Sequence, residues 1–199
     1  MKDLFVWLTV ITMTTFIIIY VYQIYKHKIF PALSTWIIFL CGVGLSFVTY
    51  IISEKNDLSS GVLNTIDLLN VVVVTIAIIL WGKRSLHLKP FEKWYLVAVG
   101  LIIFYGIITG DAWSSNILTQ VLISVGYFPT IHGLLKSRVN TESFIGWGIN
   151  LLVSFFALYP ASVNGNLLAI IYATRAAVLI SVLLIIMVYC ELTKKKKLA

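Results

Sequence analysis

Seven apolar runs divide the chain, and each is about as long as a helix that crosses a bilayer. Such a helix needs about 20 apolar residues to cross a hydrocarbon core about 30 Å thick. The runs cover residues 4–22, 29–52, 58–81, 91–109, 112–135, 143–160 and 165–190. Charged or turn-forming residues separate them, and the continuous alternation typical of a β-barrel is absent from the sequence. The pattern therefore predicts seven transmembrane helices.

Composition excludes the soluble classes of protein. Of the 199 residues, 60% are hydrophobic and 12% are charged, whereas soluble domains have about 45–50% and about 25%. The mean hydropathy is +0.98. The first run is long, lacks a small-residue cleavage site and is followed by positive charge, so we interpret it as a span and not a cleavable signal peptide.

The basic residues indicate how the spans are oriented. With seven spans, 12 of the 15 basic residues lie on one side of the membrane. They are Lys26, Lys28, Lys83, Arg84, Lys89, Lys93, Lys136, Arg138 and Lys194 to Lys197. Lys2 and Lys55 lie on the other side. Because basic loops mark the cytoplasm, the N-terminus is expected outside and the C-terminus inside. The C-terminal lysine run is then a flank that attracts anionic lipid, and no nucleic-acid partner is expected.

A shift of 108 residues aligns the chain with itself and predicts an internal repeat. The shift pairs Lys28 with Lys136, Ser46-Phe47 with Ser154-Phe155, Val74 with Val182 and Ile78 with Ile186. Spans 1–3 and 5–7 have the same sidedness only if span 4 inverts the chain between them. We therefore predict an all-α membrane protein with a 3+1+3 plan. Residues 1–81 form one triple-helix bundle, 82–111 a linker with the fourth span, and 112–199 a second, parallel bundle with a basic tail.

The same shift pairs Asp67 of the third span with Arg175 of the seventh. Each lies about 9–10 residues into its helix, which places both near the membrane midplane. A charge there costs at least ~2.5–3.5 kcal/mol on insertion scales and is usually functional. Arg175 would bind a carboxylate, a phosphate or a polar oxygen. Asp67 would accept a hydrogen bond or an ammonium group, or carry a proton. A neutralised pair that only fixes helix register is the structural alternative.

Other polar and aromatic residues fall around this pair. Asn64 and Asn70 lie one turn on either side of Asp67, and Tyr172 has the same relation to Arg175. The candidate substrate-binding residues are Arg175, Asp67, Asn64, Asn70, Tyr172, Gln120, Trp36 and Trp147. The two tryptophans have a second interpretation, as interfacial or packing residues.

Three residues are candidates for a hinge or a gate. Pro129 lies inside the fifth span, where it removes a backbone hydrogen bond and bends the helix. It is interpreted as a hinge, with a static kink as the alternative. Tyr50 and Tyr159 lie at the outer ends of the second and sixth spans, where they could cap a pocket, although tyrosine is also common at that interface.

The segment from Gln120 to Glu142 resembles the PQ-loop repeat. It contains Gly126-Tyr127-Phe128-Pro129-Thr130-Ile131 and then Lys136-Ser137-Arg138-Val139-Asn140-Thr141-Glu142-Ser143. In that superfamily a proline-containing first helix precedes a basic turn and a Thr-Ser start of the next helix. The SWEET sugar transporters belong to it, with the same 3+1+3 plan and an outside N-terminus. Pro129 matches the family proline, Thr130 stands where Gln often follows, and the first span has no proline.

The resemblance implies a transporter of a small polar solute. SWEET-type proteins carry an asparagine from each third helix at the central site, whereas the matching positions here hold Asp67 and Arg175. Other members of the superfamily move amino acids or vitamins, and cystinosin-like members couple transport to protons. An amino-acid-like zwitterion, a small organic anion and a sugar therefore remain open as substrates, and we expect alternating access in a multi-pass protein of a prokaryotic plasma membrane.

A second class of function is a receptor or sorting protein on the same scaffold, which would bind a ligand without transport.

An enzyme is not expected, because the spans contain no nucleophile–base pair or paired carboxylates. A retinal protein is not expected either, since the seventh span has no lysine. Cys41 and Cys190 lack partners at metal-ligand spacing, so we expect neither a metal nor a cofactor. The expected partners are a solute and lipid, and homo-oligomerisation stays open.

Overall fold

The computed structural model describes residues 1–53, 57–82 and 90–196, and within these ranges all regular structure is helical. The helices are α1 (Lys2–Tyr25), α2 (Leu33–Ser53), α3 (Val62–Trp81), α4 (Pro90–Thr109), α5 (Ala112–Gly126), α6 (Phe128–Ser137), α7 (Phe144–Val163) and α8 (Leu167–Lys196). Four of the basic residues behind the orientation argument, Lys55, Lys83, Arg84 and Lys89, lie outside the described residues, as does Lys197.

Six helical segments of the described chain are long and apolar enough to cross a membrane, with α5 and α6 counted as one segment. The apolar helix at Lys93–Thr109, within α4, is shorter. Large apolar side chains cover the outside of the molecule, such as Ile107 and Trp94 with 76% and 72% of their surface exposed. A soluble protein does not expose so much apolar surface. The chain is a multi-pass, all-α membrane protein.

The fifth apolar run is broken, at the position where the sequence predicts a bend. Tyr127 separates α5 from α6, and Pro129 lies in the first turn of α6. Proline has no N–H group to donate to the carbonyl of Val125, so the helix cannot continue unchanged through this point.

The end predicted for the sixth run is wrong. The sequence pattern ends it at Pro160, but α7 continues through this residue to Val163, with Pro160 inside the helix. Pro160 lies within the last turn of α7, so the helix continues for less than one turn beyond it. The chain reverses immediately afterwards at Gly165, whose φ of 63° lies in the left-handed region that glycine adopts without strain.

The helices pack as two groups, one from the N-terminal and one from the C-terminal part of the chain, with contacts between them. Helix α3 packs against both α1 and α2, and α8 packs against α7 and the α5–α6 segment. Between these groups, α1 packs against α7, and α2 packs against α5. Helix α4 packs against α5 and α2, and Tyr95 is its buried anchor.

Candidate functional site

A cavity of about 30 Å³ lies among α2, α3, α5, α7 and α8, and we call it the central cavity. Its polar lining consists of Asp67, Asn70, Asn150 and Arg175. Three large aromatic residues, Trp36, Tyr127 and Trp147, also line it. Small-molecule pockets usually measure about 300–1,000 Å³. The helices must therefore separate before a solute larger than water could enter.

Asp67 is held by two hydrogen bonds, one on each carboxylate oxygen. The hydroxyl of Tyr172 on α8 donates to Oδ2 at 2.6 Å. The amide Nδ2 of Asn70, one turn along α3, donates to Oδ1 at 3.0 Å. Because Tyr172 belongs to α8, this hydrogen bond connects α3 to α8.

Arg175 is held on two sides by neutral groups. Its Nε donates a 3.0 Å hydrogen bond to Oε1 of Gln120 on α5. The guanidinium carbon lies 4.6 Å from the centroid of the Tyr172 ring, within the range of a cation–π contact. Its two terminal nitrogens make no hydrogen bond to any described residue. Gln120 and the Tyr172 ring thus orient a guanidinium group that lines the cavity.

Asp67 and Arg175 line the same cavity, but they do not form the direct ion pair that a facing acid and base suggest. No N–O distance between them falls within 4.0 Å, and Tyr172 contacts both of them instead. The ring of Tyr172 lies against the guanidinium group of Arg175, and its hydroxyl donates a hydrogen bond to Asp67. The two charges therefore line the same cavity, as expected, but they do not contact each other directly.

A buried polar network continues from Gln120 between α2, α3 and α5. Its amide donates to Oγ of Ser46 at 2.9 Å and to Oδ1 of Asn116 at 3.1 Å. Asn116 in turn donates to the carbonyl of Ser46 at 2.8 Å. Asn64 belongs to this network and not to the cavity lining, because its Nδ2 donates to Ser46 Oγ at 3.1 Å. The sequence places Asn64 near Asp67, but the structure turns it toward α2.

Trp36 and Trp147 line the central cavity and are almost fully buried, at 3% and 4% exposure. Neither sits at the lipid surface, so the interfacial interpretation is wrong for both. The Tyr20 ring packs against both indoles, with centroids 5.4 Å and 6.4 Å apart. Tyr127 packs on Trp147 at 6.1 Å. These aromatic rings close one side of the cavity.

Glu142 anchors this aromatic closure, and we call this end of the molecule the Glu142 side. Tyr20 donates to Oε2 of Glu142 at 2.6 Å, and the indole Nε1 of Trp147 donates to the same oxygen at 3.0 Å. The carboxylate is buried just before α7, and burial raises its pKa above the usual range, against the opposing effect of these hydrogen bonds. Glu142 therefore ties α1 to the start of α7.

At the opposite end of the molecule, which we call the Asn166 side, polar contacts join the loop before α3 to the loop between α7 and α8. Asn166 donates to the hydroxyl of Tyr50 at 3.0 Å, and that hydroxyl donates to the carbonyl of Asp57 at 2.8 Å. Asn164 donates to Ser60 Oγ at 2.5 Å and to Asp57 Oδ2 at 3.4 Å. Burial acts to raise the pKa of Asp57, but hydrogen bonds from Ser60, Ser59 and Asn164 outweigh it and hold the pKa at about 2.

The two tyrosines predicted as outer caps therefore have different surroundings. Tyr50 takes part in the closure of the Asn166 side. Tyr159 stacks on Phe5, with ring centroids 4.5 Å apart, at the contact of α1 with α7. It lies away from the lining of the central cavity.

Two residues of the site carry weak signals in the sequence. Asn150 is a single amide within an apolar run, and its side chain lines the cavity without a hydrogen bond to any described residue. Glu142 precedes Ser143, whose Oγ caps α7 by accepting from the N–H of Gly146 at 2.9 Å. An acidic residue at the start of a helix is common because it interacts favourably with the helix dipole. The sequence therefore gives no sign that Glu142 is buried.

No protein-family model, no curated protein and no solved structure matches this chain.

Proposed function

We propose that this protein is a carrier that moves a small polar solute across the membrane by alternating access. In this proposal the chain has the 3+1+3 plan of two parallel triple-helix bundles, and the solute binds near the membrane midplane between them. The PQ-loop and SWEET resemblance of the sequence points the same way. The observation that carries the proposal is a central cavity that presents both Asp67 and Arg175, with different sets of hydrogen bonds joining the helices and loops toward the two ends of the molecule.

The packing pattern supports the repeat. The repeat makes α1 equivalent to the α5–α6 segment, α2 to α7, and α3 to α8. The contact of α1 with α7 then corresponds to the contact of α5 with α2, and both contacts occur. Each third helix, α3 or α8, packs against both other helices of its own group. A pseudo-two-fold axis through the central cavity produces this arrangement, with α4 as the linker helix at the periphery.

The two closures supply the gates that alternating access needs. Hydrogen bonds between loops close the Asn166 side, which is outside if the N-terminus is outside. The aromatic rings around Trp36 and Trp147 close the Glu142 side, which is then cytoplasmic. The break at Tyr127 lies beside the cavity, and Pro129 keeps α5 and α6 from merging. Movement of α6 relative to α5 would open the Glu142 side without disturbing the network around Gln120.

The charges at the cavity favour three solute classes to different degrees. An amino-acid-like zwitterion would place its carboxylate at Arg175 and its ammonium group near Asp67. A small organic anion would use Arg175 alone, with Asp67 as a proton-coupling group. A sugar could accept and donate hydrogen bonds at Asn70 and Asn150, but would leave both charges without a partner of opposite sign.

Counterflow in proteoliposomes tests the carrier proposal. Purified protein is reconstituted in liposomes loaded with unlabelled amino acids, carboxylates or sugars, and uptake of the corresponding labelled solute is followed. A carrier accumulates at least one class of label transiently above equilibrium, and Arg175→Gln abolishes this uptake. Saturable binding of a solute by the folded protein, without any counterflow, would contradict the proposal and favour a receptor on the same scaffold.

A further inference from the structure

We propose that the solute carries one carboxylate group, which the two terminal nitrogens of Arg175 bind. This inference rests on the proposed carrier function and specifies the chemistry that its cavity recognises. The fork of a guanidinium group matches the two oxygens of a carboxylate, which gives charge-assisted hydrogen bonds in a fixed geometry.

Arg175 is oriented in advance but is not saturated. Gln120 accepts only from the Nε–H group, at 3.0 Å, and the guanidinium carbon lies 4.6 Å from the centroid of the Tyr172 ring. The terminal nitrogens, with four N–H donors, make no hydrogen bond within the described chain, although the residue lines the central cavity. A group fixed by packing loses little conformational freedom when it binds a ligand, which favours affinity.

The acid of the cavity does not compete for these donors. Asp67 accepts one hydrogen bond on each oxygen, from Tyr172 at 2.6 Å and from Asn70 at 3.0 Å. Its negative charge nevertheless remains beside the cavity. A dianion such as a phosphate would add two negative charges beside Asp67 with only one cation to receive them, whereas a single carboxylate is matched by Arg175.

Two amides offer contacts for the remainder of the solute. Asn70 lines the cavity, is 3% exposed and has a buried Oδ1 without a hydrogen-bond partner. Asn150, across the cavity on α7, has a side-chain amide with no hydrogen bond to any described residue. A buried acceptor without a partner is costly, so a hydroxyl or ammonium donor on the solute would stabilise the bound state. Short hydroxy acids and amino acids share this carboxylate-plus-donor chemistry.

The test compares carboxylates with their own amides. Acetate, L-lactate, L-alanine and succinate are each paired with the primary amide of the same skeleton. Each is measured both by the shift in melting temperature of the purified full-length protein and by uptake into proteoliposomes. We expect at least one monocarboxylate to bind at least tenfold more tightly than its amide, and succinate to bind less well. Preference for lactate over alanine identifies an anion, and the reverse identifies a zwitterion.

Variants assign the preference to Arg175. Arg175→Gln should remove the carboxylate preference, and Arg175→Lys should retain part of it, because lysine keeps the charge without the planar fork. Arg138→Gln is the matched control, since Arg138 lies similarly over a tyrosine ring, 4.9 Å from the centroid of Tyr189, but outside the cavity. If Arg175→Gln fails to fold, the lysine variant and the amide pairs still decide the question.

The outcomes separate the carboxylate inference from the carrier proposal. A carboxylate that raises the melting temperature in the wild type and not in Arg175→Gln, without any uptake, supports the inference while contradicting a carrier. Uptake of an amide or of D-glucose equal to that of the carboxylates, and unchanged by Arg175→Gln, leaves a carrier and overturns the inference. Absence of any carboxylate preference in both measurements also overturns it.

Discussion

The hydroxyl of Tyr172 donates a 2.6 Å hydrogen bond to Oδ2 of Asp67, and so links α8 to α3 at the central cavity. The same ring lies against the guanidinium group of Arg175. One side chain thus orients both charges of the site. The two charges line one cavity without forming a direct ion pair, and the terminal nitrogens of Arg175 make no hydrogen bond to any described residue.

Tyr172→Phe tests the role of that hydroxyl. The variant keeps the ring beside Arg175 but leaves Asp67 Oδ2 without its donor. We expect a loss of about 0.6–1.7 kcal/mol in the free energy of unfolding in micelles, which spans the average and the maximum measured for hydrogen bonds between helices of a membrane protein. Tyr105→Phe, on α4, is the control, because the Tyr105 hydroxyl makes no hydrogen bond to a described residue. Equal effects of the two changes would contradict the assigned role.

A double-mutant cycle measures the coupling between the two charges. Asp67→Asn and Arg175→Gln each leave one uncompensated charge at the cavity, and the double variant leaves none. We expect the double variant to lose less stability than the sum of the single losses, by about 0.5–3 kcal/mol. Unfolding free energies of the four proteins give this coupling directly. Strictly additive losses would show that the two groups are energetically independent.

Glu142→Gln tests the buried carboxylate through its pH dependence. Burial raises the pKa of Glu142, so the folded protein binds this proton more tightly than the unfolded chain. Folding stability should therefore fall as the pH rises from the usual carboxylate pKa through the raised value. Glutamine keeps an acceptor for Tyr20 and Trp147 but cannot ionise, so the variant should lose this fall in melting temperature.

The control for this measurement is Glu191→Gln, near the end of α8, which changes the same type of residue away from the aromatic closure. Its pH profile should match that of the wild type. A Glu142→Gln profile that still falls with pH over the same window would show that another group is responsible.

Pro129→Ala tests the hinge. Alanine restores an N–H group that can donate to the Val125 carbonyl, so α5 and α6 can merge into one helix. If the break lowers the barrier to opening by about 1 kcal/mol, its loss should slow solute exchange about fivefold, with a smaller change in solute binding. Pro160→Ala changes a proline within the uninterrupted α7 and is the control. Solute exchange at the wild-type rate in Pro129→Ala would contradict the interpretation of Pro129 as a hinge.

The spans could be predicted from sequence because their signal is local. Among the described residues each helix falls within or overlaps a predicted apolar run, although only six segments are long and apolar enough to span a membrane and the fourth run holds a shorter apolar helix. The proline in the fifth run indicated the interruption at Tyr127. The predicted end of the sixth run was wrong. Proline removes one backbone hydrogen bond, but α7 continues through Pro160 to Val163. Asp67 and Arg175, which the predicted repeat pairs, both line the central cavity.

The orientation of side chains around each helix could not be predicted in the same way. Asn64 and Asn70 lie one turn on either side of Asp67, yet Asn64 joins the network at Ser46 and Asn70 lines the cavity. A residue three positions away falls slightly short of a full helical turn. Asn64 and Asn70 are therefore displaced around α3 to opposite sides of Asp67, and each meets a different neighbour. The closures depend on such tertiary detail, and the burial of Glu142 beneath Tyr20 and Trp147 has no counterpart in the local pattern.

Accessibility of the central cavity from each side of the membrane tests alternating access most directly. Asn150→Cys, in a background with Cys41→Ala and Cys190→Ala, places one thiol on the cavity wall. A charged, membrane-impermeant thiol reagent is applied to right-side-out and to inside-out vesicles, with Val121→Cys on the exposed face of α5 as the control. The carrier account predicts labelling of Asn150→Cys from both sides and little labelling of the control. Labelling of the cavity thiol from one side only would contradict alternating access.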